Sequence, residues 1–466
     1  MQTADLQHLE KLVVELRRLS ATAADPPDID GYEPTSADYI LTKLHRVSIE
    51  TSELCKFVNL LRETSWLAEY EGGVANYSPS GYVSISLDAI ANWLLAQARM
   101  RSPEECLEKL RRAFAENKSS VLEIVPIWGI SPTQSIDLGD DIKIVPIETL
   151  PPSKLKDLLT GTKRHRFSFD FAYSFPRAGA AVVKETLHGP LYEPASSQPA
   201  TKIRRQCELM LRAYMLPTQE ERDGAMREIR EMMDPLKTAR ESSSIYSEAA
   251  ELIQVVALLC PRPLFALGQW YQRPIDLPIV GRIYGYGGPT YDHPFHIPVE
   301  KQDYPVDEIK ALINAYRSLP AITRNRLKTP LSRLNQGRRP MAHQPIEAAA
   351  VELGIAAEAL LTQDRDHDAP ISYLLRTRGT LLLGGSADER RDNYKHLRDL
   401  YNLRSEVAHH GEIVDYTLIP HSASARENLE RSAEKVKRGE ALCIRMIRQI
   451  IDTGSFPNWD ELALGM

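Results

Sequence analysis

The sequence lacks the features that mark a disulfide-bonded, zinc-bound or membrane-spanning protein. Its five cysteines lie far apart and include no Cys-x-x-Cys pair, which argues against a disulfide framework or a zinc cage and indicates a reducing compartment. The chain does not open with a charged-then-apolar leader, and none of its apolar runs approaches the roughly twenty residues that span a bilayer. These absences predict a cytoplasmic protein.

An excess of positive charge is also missing. The chain has 57 Lys and Arg against 63 Asp and Glu, a net charge of -6, so the whole molecule is no polycation that attracts nucleic acid. Any RNA binding must be local. At 466 residues, the length predicts two or three domains. We place them at 1–118 (helical), 119–300 (mixed α/β) and 301–466 (a helical bundle).

Motifs for bound nucleotides and metals are absent as well. The Gly/Tyr-rich run at 281–288 lacks the Gly-Lys-Ser/Thr ending of a phosphate loop, and prolines follow it where a dinucleotide site needs a helix. A Gly/Tyr hairpin is the favoured interpretation. His293 and His296 have no third ligand nearby, and no nucleophile elbow or His-Glu-x-x-His motif is present. We therefore predict no cofactor and no metal.

The hydrophobic periodicity predicts an α+β fold that is mainly α, with a mixed helical and β-sheet N-terminal region before an all-α bundle. Two β-branched runs, 121–130 and 142–147, flank Gly139-Asp140-Asp141 and predict a hairpin. Residues 167–175 alternate aromatic and small or polar side chains, typical of a strand packed on its core, although such a face also stacks RNA bases. Helices are predicted at 305–318, 323–336, 345–362, 370–383, 387–410 and 424–453.

One stretch concentrates positive charge. No acidic residue lies between Glu308 and Glu347, whereas eight Lys and Arg residues do. Neutralising phosphates requires such a concentration, so this segment is a candidate RNA-binding surface. The alternative is a solvated cationic face, or one that docks on the acidic N-terminal connector. The cations proposed to contact RNA are Arg324, Arg326, Lys328, Arg338 and Arg339.

Near the end of the chain, Arg404 precedes His409 by five positions in a mostly apolar helical run. An arginine binds phosphate and a histidine exchanges protons near neutral pH, which is what phosphodiester cleavage needs. Arg338 with His343, and Arg390 or Arg391 with His396, have equivalent spacing. Arg404 differs because the 3.6-residue period places it on one predicted buried stripe with Leu397, Leu400 and Val407/Ala408, and a buried arginine requires a partner or ligand.

The run Leu-Tyr-x-Leu-Arg-Ser-x-x-x-His at 400–409 follows a Glu-Ala-Leu-Leu helix at 358–361 and Tyr373-Leu-Leu-Arg-Thr-Arg378. Over the last third of the chain, this pattern resembles the Apea-like branch of the HEPN superfamily. The resemblance implies a helical bundle that dimerises and a metal-independent endoribonuclease of prokaryotic antiviral defence. It assigns the family's Arg-x4-6-His motif to Arg404 and His409.

The resemblance, together with the residues around the motif, suggests further roles. Ser405 is the polar residue after the arginine, and Asn402 is a candidate to orient the histidine or bind the scissile phosphate. The family pattern ends His-Gly, whereas both His409 and His410 precede Gly411 here. Either histidine is therefore a candidate, with His409 preferred. Glu358 is expected to neutralise Arg378 or Arg404, or to be an ordinary surface glutamate.

Two other functions compete with cleavage. The bundle could be a non-catalytic HEPN module for dimerisation or nucleotide binding, or a regulatory domain beside an enzyme site in the N-terminal two thirds. No motif supports the latter. We expect the N-terminal region to act as a sensor, with a phage protein as trigger or inhibitor.

Overall fold

The protein is described here from a computed structural model over residues 3–22, 51–78, 81–151, 177–198, 245–272, 284–287, 298–339, 346–362, 369–410 and 423–464, with isolated positions between these ranges. Its helices are α1 (Thr3–Thr22), α2 (Thr51–Arg62), α3 (Ser65–Ala68), α4 (Leu87–Ala98), α5 (Pro103–Glu116), α6 (Ile245–Val256), α7 (Val306–Ser318), α8 (Ala321–Gly337), α9 (Ile346–Leu361), α10 (Ile371–Leu383), α11 (Ala387–His410), α12 (Ala423–Thr453) and α13 (Trp459–Leu464). The fold is α+β and mainly α, as predicted. Within these ranges, none of the helices has the length and apolar composition needed to cross a bilayer.

The strands form a large and a small sheet. They are β1 (Val74–Ser78), β2 (Gly81–Ser84), β3 (Ser119–Trp128), β4 (Ile136–Gly139), β5 (Ile142–Pro146), β6 (Ala180–His188), β7 (Tyr192–Glu193), β8 (Phe265–Ala266), β9 (Gln269–Gln272) and β10 (Tyr284–Gly287). The large sheet has the order β10-β9-β3-β6-β5-β4, with β8 also on β3, and the small one β2-β1-β7. In the small sheet, the consecutive strands β1 and β2 pair antiparallel.

The predicted hairpin between 121–130 and 142–147 is wrong. The turn at Gly139-Asp140-Asp141 has φ values of 82°, 52° and 61°, and a turn this tight joins only directly adjacent strands. It joins β5 to the short strand β4, which the prediction overlooked. Strand β3 instead pairs with β6 from Ser119↔His188 to Ile127↔Ala180. Part of the Gly/Tyr run forms strand β10, which pairs antiparallel with β9.

The C-terminal helices were predicted accurately. Helices α7 to α12 begin and end within two residues of the predicted segments, because each buries an apolar stripe of helical period. Helix α9 is central, since it packs on α8, α10, α11 and α12. Gly454, with φ +83°, ends α12 as a C-cap.

Apolar packing is continuous between the sheet and the bundle. One core extends from β3 and β4 through α6 into helices α7 to α12, and a separate core joins α1, α2, α4 and α5. The domain boundaries at 118/119 and 300/301 stay predictions. The aromatic strand at 167–175 and the histidines at 293 and 296 lie outside the described residues.

Candidate functional site

Helix α11 carries the whole Arg/His motif and ends at His410. Asn402 is exposed and Ser405 is half-buried on this helix. His409 and His410 lie in its last turn, about 7.5 and 9 Å along the helix axis from Arg404 at 1.5 Å per residue. Their backbone is helical, whereas their side chains fall outside the described part of the structure.

Arg404 forms an ion pair with Glu358 of the central helix α9. Its Nη2 lies 3.3 Å from Oε1 of Glu358 and donates a hydrogen bond of 3.4 Å to Oε2. Oε1 is itself buried and accepts no hydrogen bond from the described residues. Arg378, the other expected partner, donates from Nη1 to the Leu361 carbonyl at 2.9 Å. The pair with Arg404 is thus the one that forms.

Gly354 provides the surface on which Arg404 lies. A Cβ added at Gly354 would approach the Arg404 Cγ to 2.6 Å and its Cβ to 3.0 Å, well inside van der Waals contact. The stem of Arg404 therefore crosses α9 directly over its backbone, one turn before Glu358. Sequence reasoning missed this glycine, although a lone glycine inside a strong helical pattern signals close packing.

The predicted buried stripe needs a correction. Leu397 and Leu400 are 1% exposed, but Val407 is half-buried and Ala408 is exposed. Among the described side chains, the buried apolar stripe of α11 therefore ends before Val407. Arg404 therefore lies at the margin of the core with its side chain 29% exposed, which gives the guanidinium access to solvent.

The competing Arg/His pairs are engaged elsewhere. Arg390 donates from Nε to the Gly385 carbonyl at 2.9 Å, and Arg391 pairs with Asp388 at 2.8 Å, both at the beginning of α11. His396 lines a cleft of about 460 Å³ between α11 and α12, together with two other charged residues of α11 and six of α12. Those lining residues are of mixed charge, and neither Arg390 nor Arg391 is among them.

Much of the basic segment is neutralised within the fold. Arg317 pairs with Asp140 at 3.0 Å and Arg333 with Glu352 at 3.1 Å. The segment therefore has far less free positive charge than its sequence suggests, because its acidic partners come from distant parts of the chain. Within the described part of the chain, four of its eight cations form ion pairs, namely Arg317, Lys328, Arg333 and Arg338.

Arg338 is the clearest correction among the proposed RNA contacts. Its side chain is only 4% exposed and its Nε lies 2.8 Å from Glu440. Its two terminal nitrogens donate to the carbonyls of Ala257 at 2.6 Å and Cys260 at 2.7 Å. A guanidinium with these partners joins α8 to α12 and to the end of α6, and cannot reach a phosphate.

The side chains of the other proposed RNA contacts differ in their exposure to solvent. Lys328 pairs with Glu251 at 3.2 Å but keeps 54% of its side chain exposed. Arg326 lies over the Phe456 ring, 5.5 Å from its centroid, and Arg339 over that of Phe265 at 5.3 Å. Arg324 is half-buried on α8. The structure does not bring Arg326 and Arg339 into one open patch, since each packs on a different ring.

The described residues contain no group of three or more His, Cys, Asp or Glu side chains arranged to hold a metal ion. Comparison of the chain with protein-family models, curated proteins and solved structures finds no match. The geometry around Arg404 is therefore what bears on function.

Proposed function

We propose that the protein is a metal-independent endoribonuclease of the HEPN type whose site is formed by Arg404 and His409. The supporting observation is the placement of Arg404, which reaches solvent at the margin of the core while Gly354 and Glu358 of α9 fix its stem and head. A guanidinium held in this way is oriented before substrate arrives, and such preorganisation is what stabilises charge in a transition state. Its pairing with Glu358 uses Nη2, and a guanidinium has several further donors for phosphate.

The proposed reaction is transesterification. The 2′-hydroxyl of RNA attacks the adjacent phosphorus, its proton passes to a histidine, and the 5′-oxygen of the next nucleotide leaves with a proton from a histidine acting as acid. The products are a 2′,3′-cyclic phosphate and a 5′-hydroxyl. His409 is the proposed proton carrier and Arg404 holds the phosphoryl oxygens. Ser405 and Asn402 orient the histidine or the scissile phosphate.

By the same resemblance, two copies of the chain meet through their bundles and form a composite site. The exposed Asn402 and Lys328 and the half-buried Arg324 are the RNA contacts that we retain. We further propose a cytoplasmic role in antiviral defence. In this role a phage protein, acting through the N-terminal region, triggers or inhibits the ribonuclease.

A non-catalytic HEPN module is the second candidate. It is favoured by the ion pair between Arg404 and Glu358, because a guanidinium neutralised within one chain also serves as a purely structural contact. Incubation of the purified protein with single-stranded RNA in EDTA separates the two. The enzyme cuts and leaves 2′,3′-cyclic phosphate ends, whereas the module leaves RNA intact. Cleavage that requires a metal, or that yields 5′-phosphates, contradicts the proposed chemistry.

A further inference from the structure

A cavity of about 510 Å³ lies in the N-terminal part of the chain, between α1, α3 and α5. This volume is within the range of sites that enclose a small molecule, about 300 to 1,000 Å³. It is remote in sequence from the Arg404 site. The lining residues are His8, Leu9, Glu63, Thr64, Ser65, Trp66, Glu69, Tyr70, Arg111, Phe114 and Ala115.

Three aromatic rings meet at this cavity. The Phe114 centroid lies 4.9 Å from that of Tyr70, at an interplanar angle of 76°, and 6.0 Å from that of Trp66, at 62°. All three rings belong to the lining of the cavity, so aromatic surface borders the space that a ligand would occupy. Their π-electrons offer negative potential to a ligand that enters.

Further contacts hold these rings in place. Tyr192 stacks on Phe114 with centroids 4.1 Å apart and an interplanar angle of 10°. Asn117, the left-handed C-cap of α5, holds Tyr192 in place, since its Oδ1 accepts from the Tyr192 N–H at 2.6 Å. His8, another residue of the lining, is held as well, because its Nε2 lies 3.0 Å from the Leu60 carbonyl oxygen. The cavity is therefore preformed.

Negative charge dominates the rim. Glu63 and Glu69 are exposed there, and neither carboxylate has an ion-pair partner within the described part of the chain. Arg111, the arginine of the lining, is neutralised by Glu108, to which its Nε and Nη2 both donate at 2.8 Å. An anionic ligand would meet these two carboxylates, whereas a cationic one would be attracted by them and by the rings.

We propose that this cavity binds a small organic cation, an alkylammonium or guanidinium compound, whose charged group lies against Trp66, Tyr70 and Phe114. The rings bind the cation through cation–π attraction and the two glutamates at the rim attract it as it enters. The same charges disfavour nucleotides and other phosphate compounds. The region that precedes the bundle thus contains a ligand site of its own, independent of RNA cleavage.

Choline and its neutral isostere 3,3-dimethyl-1-butanol test this proposal, because they share a shape and differ in charge. We expect saturation-transfer NMR on the full-length protein to show choline binding at least about tenfold more tightly than the alcohol, the range that cation–π contacts supply. Equal affinities would overturn it, as would no choline binding at about 10 mM, a concentration that nearly saturates a site with a Kd of about 1 mM.

Two double variants then test the rim. Glu63→Gln with Glu69→Gln removes the carboxylates of the cavity and should weaken choline binding about fivefold, as two partly screened charges allow. Glu10→Gln with Glu116→Gln removes the same charge from exposed positions of α1 and α5 outside the cavity, and should leave the affinity unchanged. Equal effects of the two double variants contradict the site. Trp66→Leu should abolish the preference for choline over the alcohol.

Discussion

The side chain of Arg404 lies directly on the backbone of Gly354, so closely that a methyl group at position 354 would stand 2.6 Å from the arginine Cγ. Glu358, one turn further along the same helix, faces the guanidinium at 3.3 Å. Helix α9 therefore specifies the position of the arginine at two points. The proposed phosphate-binding group is placed by the centre of the bundle and not by a loop, which keeps its geometry fixed.

Gly354→Ala should destabilise the protein by about 1 to 3 kcal/mol, because the new methyl group forces the arginine stem off the helix. The same substitution should cost much less in an Arg404→Ala background, where the obstructing side chain is gone. Urea unfolding of the four proteins in this cycle measures the coupling. Additive free energies would show that the two residues do not contact each other in solution.

Glu358→Gln should lower the free energy of unfolding by less than about 1 kcal/mol, because both partners are partly open to solvent. Its effect on RNA cleavage should be larger, on the order of tenfold, since the guanidinium loses its orientation. Glu352→Gln is the matched control, as it removes a similar ion pair from the same helix, that with Arg333 at 3.1 Å. It should leave cleavage unchanged. Equal losses of activity in both variants would remove the positioning role of Glu358.

Arg338→Gln should destabilise the protein by about 3 kcal/mol or more, because it leaves Glu440 and two carbonyls without their buried partner. Arg324→Gln, on the same helix but half-buried, should cost far less. Thermal and urea unfolding compare the two. If Arg338→Gln folds as stably as the wild type and weakens RNA binding, its sequence-based assignment as an RNA contact was right after all.

Stability should fall at alkaline pH through the buried thiols. Burial raises the pKa of Cys443 to about 12 and that of Cys260 to about 12, whereas an unfolded thiol titrates near about 8.5. The folded state thus retains these protons, and its stability is complete below the unfolded pKa and declines as the pH rises towards the folded one. At pH 10 the loss is about 2 kcal/mol for each thiol.

Cys443→Ala should remove one such contribution from the dependence of unfolding free energy on pH between about 8.5 and 12, the window set by the two pKa values. Cys55→Ala is the control, because Cys55 is exposed, and should leave the slope as it is. A Cys443→Ala protein whose slope equals that of the wild type would show that the thiol ionises freely in the folded state.

The helices of the bundle were predictable because their signals are local. An apolar stripe of helical period and a C-cap such as Gly454 are contained within one segment. Sheet pairing is not local, since β6 lies between β3 and β5 and its pairing with β3 depends on residues some sixty positions away. The sequence showed two β-branched runs and a tight turn, but not that a short strand separates them.

The sequence predicted which residues form the site, but not every contact that positions them. The motif named Arg404, and Glu358 was one of its expected neighbours, because both lie in helices whose faces periodicity reveals. The contact with Gly354 depends on how closely two helices approach, which no single helix encodes. For Arg338 the sequence was misleading. A run without acidic residues does not reveal that folding brings an acidic residue from elsewhere in the chain, such as Glu440, next to the arginine.

The most direct test of the account is the single-turnover cleavage rate of single-stranded RNA in EDTA by wild type, Arg404→Ala, His409→Ala and His410→Ala, each first shown to be folded by circular dichroism. We predict that the first two substitutions lower the rate by at least about a hundredfold, the usual contribution of a positioned proton carrier, and that His410→Ala stays near wild type. Loss of activity in His410→Ala alone would move the histidine assignment by one position. Full activity in all three variants would contradict the claim that the Arg/His pair on α11 cleaves RNA.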